Sequence, residues 1–211
     1  MLSVFPQLAK AEFEEACIRL LHCYQDREHE QNDWTSVELV QEHELSCLRI
    51  SKELTATTAV SPSVEAGNEV DDVQEDDNEV LESMLSPAIV VYDIFLSPVY
   101  RVPVLYFHIS DSQHRYPITM TTLYNHLIPQ QYKAQAERVG VIGGITICDH
   151  PVTSRPAFFI HPCQTAQVME ASLTDEHVTT YNYLLAWIGA LGPCVGLNVP
   201  LALGQIMAKQ G

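Results

Sequence analysis

Phe158-Phe159-Ile160-His161-Pro162-Cys163-Gln164-Thr165-Ala166-Gln167-Val168-Met169 is the stretch from which this 211-residue chain is best read, because an apolar run ends there in a proline and a thiol. Pro156 and Pro162 bracket an aromatic and β-branched segment that reads as a strand, since a ladder tolerates proline only at an edge or an end. Cys163 is therefore expected just past a strand end. Pro162 fixes its own φ and pushes His161 into an extended conformation, which puts the thiol on a stiff support. Thr165 is placed to cap a short helix through Ala166, Val168 and Met169, and a helix N-terminus near a sulfur favours the thiolate. The competing reading of such a cysteine is a small buried hydrophobe.

Working outward, Ile89-Val90-Val91-Tyr92-Asp93-Ile94-Phe95-Leu96 and Val102-Pro103-Val104-Leu105-Tyr106-Phe107-His108-Ile109 are β-rich runs joined through Ser97-Pro98, a hairpin signal. Val37, Leu39 and Val40 suggest one short element, and a further strand is expected near Leu45 to Ile50, where Leu48 and Ile50 alternate. Phe13, Ala16, Cys17, Leu20, Leu21 and Tyr24 recur at helical spacing and predict an amphipathic N-terminal helix. Pro117 to Leu127 reads as a turn and short helix, and Gly140 to Gly144 as loop. Thr174 is the expected N-cap of a helix through Val178, Tyr181, Leu184, Leu185, Ile188 and Leu191, stopped by Gly192-Pro193. Between the strands, Thr55 to Pro87 holds nine acidic residues and no Lys or Arg. That segment is expected to be a mobile insertion, because it is self-repelling and lacks apolar periodicity.

Length and a 46% apolar content predict one globular unit over 1–211 with the insertion at 55–87. A formal net charge of −16 argues against nucleic acid as a partner. The six cysteines show no short paired spacing, and no basic segment followed by an apolar core opens the chain, so reduced thiols in a cytoplasmic protein are expected. No charged residue lies between His177 and Lys209, yet Gly192-Pro193, Gly196, Asn198 and Pro200 break that stretch. A packed helix and turn is expected there rather than a membrane span.

The triplet His161-Pro162-Cys163, with Ala166 and Met169 after it, resembles the active-site motif of the autophagy E2-like conjugating enzymes, the families of autophagy-related proteins 3 and 10. The block Asp149-His150-Pro151 through Pro156, Phe158 and Phe159 is more similar to the second family. So are Val102-Pro103-Val104-Leu105-Tyr106-Phe107 and the run from Trp187 into Gly192-Pro193-Cys194-Val195-Gly196-Leu197-Asn198-Val199-Pro200. The resemblance covers roughly residues 85 to 205. It implies an α+β, E2-like (ubiquitin-conjugating) core, with a mostly antiparallel sheet of about four strands between N- and C-terminal helices. It further implies an E1-like donor (autophagy-related protein 7), a ubiquitin-like cargo (autophagy-related protein 12) and an acceptor lysine on autophagy-related protein 5. The first helix would contact the activating enzyme. Ordinary ubiquitin-conjugating enzymes carry a His-Pro-Asn triplet ahead of their cysteine, whereas here His150-Pro151 is followed by Val152, so that oxyanion-supporting amide is absent.

Sulfur suits acyl transfer of this kind, because a thiolate attacks a thioester readily and the product stays reactive toward amines. Cys163 is the expected nucleophile, with His161, His150 and Tyr106 as supporting candidates. No cofactor or metal is expected. Three other readings compete: a Cys-His hydrolase of the deconjugating type, a zinc site from Cys148, His150, His161 and Cys163, and an inactive interaction module of the same fold.

Overall fold

The computed structural model describes residues 2–27, 33–42, 45–54, 86–133, 144–173 and 178–209, with 206–209 as backbone only. The N-terminal helix α1 (Lys10–Gln25) starts where the Glu12 carboxylate accepts the backbone N–H groups of Ser3 and Ala9 at 2.6 and 2.7 Å. Its buried face is Phe13, Ala16, Cys17, Leu20 and Tyr24, the predicted stripe without Leu21. The strands are β1 (Trp34–Glu42), β2 (Leu45–Glu53), β3 (Ile89–Leu96), β4 (Pro103–Ser110), β5 (Ile145–Asp149) and β6 (Pro156–Ile160). They form one sheet in the order β1-β2-β3-β4-β6-β5, and every neighbouring pair is antiparallel.

Six strands replace the expected four or so. The two additions, β1 and β5, are the edges of the sheet. Each has a neighbour on one side only and is largely open to solvent, so little of its length needs apolar alternation. The β3–β4 hairpin and the strand beginning at Leu45 lie where the sequence put them. Beyond β4, Met120–Thr122 forms a helical turn that continues as a wider π turn over Leu123–Leu127.

Side-chain alternation divides the sheet into two faces. Leu48, Ile50, Tyr92, Ile94, Leu105, Phe107, Phe158 and Ile160 face the helices and belong to the main core. Cys47, Phe95 and Val104 on the opposite face form a smaller cluster, joined by Tyr106, Val152 and Phe159. After β6 come α2 (Thr165–Ser172), α3 (Thr180–Leu191) and α4 (Leu201–Lys209). The cap of α3 is Thr179, whose hydroxyl accepts the Asn182 N–H at 3.1 Å. Helix α3 thus starts six residues after Thr174, which lies outside the described residues.

The C-terminal apolar stretch is tied to the sheet by polar tips of large side chains. Tyr92 Oη donates to the Val195 carbonyl at 2.8 Å and Trp34 Nε1 to the Asn198 carbonyl at 2.9 Å. Gly192 permits this turn, since a Cβ there would collide with the Leu197 carbonyl oxygen. Among the described residues no helix is long and apolar enough to cross a membrane. The acidic run falls on 55–85, outside the described residues, as does most of Gly140 to Gly144.

Candidate active site

Strand β6 pairs with β4 through Leu105 and Ile160, then ends at His161. Pro162 occupies the first position of a single 3₁₀ turn, Pro162–Gln164, that runs directly into α2. Thr165 is consequently not a cap. It is the buried first residue of α2, and the capping group is His161, whose Nδ1 accepts the Cys163 N–H at 3.1 Å. The pyrrolidine φ suits the first helical position, so helical geometry starts at Pro162 and takes Cys163 into the first turn. Pro162 and Met169 bury themselves, which leaves the Cys163 side chain at the surface.

All six cysteines are free thiols, and Cys163 alone among them is exposed. Burial pushes the Cys17 thiol far up; burial and the nearby Asp93 push Cys47 up to about 12. Burial also pushes Cys194 up to about 11 and raises Cys148. Thiolate chemistry at those four positions is suppressed.

The ring of His161 is held between two aromatic edges, Tyr100 at 5.6 Å and Phe159 at 6.1 Å between centroids. Its backbone N–H donates to the Gly144 carbonyl at 3.2 Å. Gly144 has φ +79, and a Cβ there would press on the His161 Cβ at 3.3 Å. Tyr100 is an addition that the sequence reading missed. The hairpin register contained a signal for it: Leu96 faces Pro103 and Leu105 faces Ile160, so the β3–β4 turn must lie beside the end of β6.

His150 is placed differently. It is 3% exposed, with Nε2 3.0 Å from Asp93 Oδ2 and Nδ1 accepting the N–H groups of Val152 and Thr153, both at 3.2 Å. Those acceptor bonds assign the ring proton to Nε2, which donates to Asp93. Asp93 also receives Arg49 Nε at 2.7 Å and Nη2 at 2.9 Å. Burial opposes ionisation of Asp93, but the bonds from His150 and Arg49 outweigh it and hold the carboxyl below its ordinary value. Tyr106 packs edge-on to His150 and Phe95 and lies 4.7 Å from Phe159, and burial raises its hydroxyl. A row of rings, His150-Tyr106-Phe159-His161, thus joins the buried ion pair to the exposed turn.

Chemically, the turn presents an exposed sulfur on a backbone that is fixed at the neighbouring amide. His161 directs Nδ1 at that amide instead of at the sulfur, so the base that a Cys-His hydrolase requires is not supplied from this side. Among the described residues no group of three or more His, Cys, Asp or Glu is placed to hold a metal, so the fold does not gather Cys148, His150, His161 and Cys163 as zinc ligands.

Several known proteins are similar to this chain. It is 40% identical over 114 residues to the "Ubiquitin-like-conjugating enzyme ATG10" of Gibberella zeae, spanning 54% of this chain and 47% of that protein. It is 33% identical over 138 residues to the protein of the same name from Homo sapiens, 64% and 61% of the two chains. The Arabidopsis thaliana protein of that name is 28% identical over 153 residues, 67% of each. The chain thus spans about half to three fifths of the length of the first two relatives. A crystal structure of the autophagic E2 Atg10 superposes with a TM-score of 0.40 at 13% identity over 88% of this chain and 97% of that one, too slight a likeness to carry fold or function. The model of the family described as "Autophagocytosis associated protein, active-site domain" matches residues 12–202, a span that includes every strand and the Cys163 turn, and the chain therefore belongs to that family.

Proposed function

We propose that the chain is an E2-like conjugating enzyme that carries a ubiquitin-like protein as a thioester on Cys163. The observation that carries this reading is that Cys163 is the exposed thiol of the six, on a turn whose amide is pinned by His161. Membership of the family and the names of the relatives support it. The acyl group arrives as a thioester of an E1-like enzyme. The Cys163 thiolate attacks the carbonyl, the donor thiolate leaves, and a lysine amine of the acceptor later displaces Cys163 and loses a proton to water. His161 acts as a positioning residue, with Tyr100 and Phe159 holding its ring. His150 and Tyr106 support the site from beneath, by packing. The donor, cargo and acceptor in this reading are autophagy-related proteins 7, 12 and 5, and the setting is the cytoplasm. Residues 1–211 act as a single E2-like domain carrying the acidic insertion.

The test is charging. Incubated with the E1-like protein, ATP and the ubiquitin-like protein, the chain gains the mass of that protein in a bond cleaved by thiols, and Cys163→Ala gains nothing. Cys163→Ser traps an oxyester that thiols do not cleave, because the alkoxide is a poorer leaving group. Charging of Cys163→Ala with none in Cys148→Ala would move the nucleophile. No adduct with any variant would favour an inactive interaction module.

A further inference from the structure

A concavity opens on the face of the sheet opposite the main core, at the other end of β6 from Cys163. It is a cavity of about 460 Å³ between the loop after β4 and the turn joining β5 to β6, with Asp93 and His150 in its wall. Five residues of β6 at about 3.3 Å each separate it from the thiol by on the order of 15 Å, so its occupant takes no part in acyl transfer.

Both carboxylates in the wall are neutralised from within. Asp93 is held by Arg49 and His150. Asp111 receives Arg115 Nε and Nη2 at 3.0 and 2.7 Å and the Arg115 backbone N–H at 2.7 Å. Arg155 is different, for its guanidinium makes no hydrogen bond or ion pair among the described residues. The rings of His108 and His114 make none either. The lining carries two arginines, Arg49 and Arg155, against two aspartates, Asp93 and Asp111, and because Arg49 and the adjoining Arg115 hold those carboxylates, Arg155 is left, among the described residues, as the cation without a carboxylate partner here. Burial first, then the nearby His150, Arg49 and Arg155, lowers the His108 pKa against the opposing pull of Asp93, which favours the neutral imidazole with its one N–H to donate.

Two residues with side chains take left-handed backbone in the flanking loops, His114 at φ 53 and Ser154 at φ 52. That conformation is unfavourable for residues with a Cβ, and here it sets His114 and Arg155 around the same opening. The unpaired donors come from separate walls rather than one plane, an arrangement that suits a tetrahedral anion better than a flat carboxylate. Tyr116 and Ile118 add an apolar side, and the volume is in the range of sites for small molecules.

We propose that this cavity binds the phosphate group of a small phosphorylated molecule, with Arg155, His114 and His108 as donors. The proposal is independent of the conjugating function.

The test is a titration of the full-length, ¹⁵N-labelled chain with inorganic phosphate and with glycerol 3-phosphate at constant ionic strength. Saturable shifts are expected at the amides of His108, His114, Thr153 and Arg155, with glycerol 3-phosphate binding at least as tightly as phosphate. Arg155→Ala should weaken binding by about tenfold or more, while Arg155→Lys retains most of it. Arg155 is exposed, and an unchanged ligand-free melting temperature verifies that the variant folds. Absence of saturation by about 10 mM, or equal binding by Arg155→Ala, overturns the proposal. Equal or tighter binding of glutarate also overturns it, by showing a carboxylate site.

Discussion

His150-Pro151-Val152 follows β5 and His161-Pro162-Cys163 follows β6, and locally the two triplets do the same thing. In each, the histidine Nδ1 accepts the N–H of the residue after the proline, at 3.2 Å in the first and 3.1 Å in the second. They part company at the other nitrogen. His150 Nε2 meets the buried Asp93 carboxylate, and the whole ring lies under Phe95 and Tyr106. His161 is exposed, with Tyr100 and Phe159 set nearly perpendicular to its ring. One triplet therefore staples a turn to the sheet with a half-buried Val152, while the other holds a thiol out to solvent. A His-Pro-X cap is a local device, and what it is used for depends on what packs over it.

That difference can be broken in several ways. The largest effect is expected from moving the sulfur: Cys163→Ala abolishes charging, and adding Val152→Cys in the same chain does not restore it, since that position is half-buried beside Tyr106 and Phe159. A thioester adduct on the double variant would show that the two caps are interchangeable.

His150→Ala comes next, because it removes a partner of buried Asp93 and the acceptor of two backbone N–H groups at once. A loss of about 3 kcal/mol in urea unfolding is expected, with charging retained by the folded fraction. Unchanged stability would mean that the network is dispensable.

Asp93→Asn should cost about 2 kcal/mol at neutral pH, since Arg49 keeps some contact with water. The pH dependence follows from the depressed carboxyl. Its contribution is complete above the ordinary aspartate value of 3.8 and is lost as pH falls through the lower folded value. The stability gap between wild type and variant should thus be level from neutral pH to about 5 and close only below about 4. A gap that closes near pH 6 would assign the effect to another group.

The smallest effect is expected at the exposed cap. His161→Ala should cost about 1 kcal/mol of stability, as loss of an N-cap does, and slow charging several-fold. His161→Asn, which can still accept the Cys163 N–H, should recover both. Recovery of stability without recovery of charging rate would give the ring a role beyond positioning.

Much of the route to this site was legible in the residues. The prolines at 156 and 162 bounded β6, the two apolar runs after Pro87 marked the central hairpin, and the triplet marked the thiol, because proline geometry and strand alternation act within a few residues. The edge strands were far less legible: within β1 the short run Val37, Leu39 and Val40 suggested an element, and β5 gave no signal. β1 and β5 need no apolar face on their outer side, so the periodic signal that marks β3 and β4 is missing from them. The caps were misplaced by a few residues for a related reason: Thr165 and Thr174 are good capping residues, but the start of each helix was set elsewhere, by Pro162 in one and by Thr179 in the other.

What the sequence determined alone is therefore the local geometry: a strand ending in His-Pro-Cys, a capped turn after it, and a chain with one such motif. Only the tertiary structure decided which histidine is buried. That outcome depends on Arg49, Asp93 and Tyr106, which reach the site from three different strands through the sheet register, Arg49 opposite Asp93 and Asp93 opposite Tyr106. Pairings so distant in sequence leave no local trace, because each residue alone is compatible with either face until the ladder aligns them. The same register carries Tyr100 to His161 and leaves Cys163 as the exposed thiol of six.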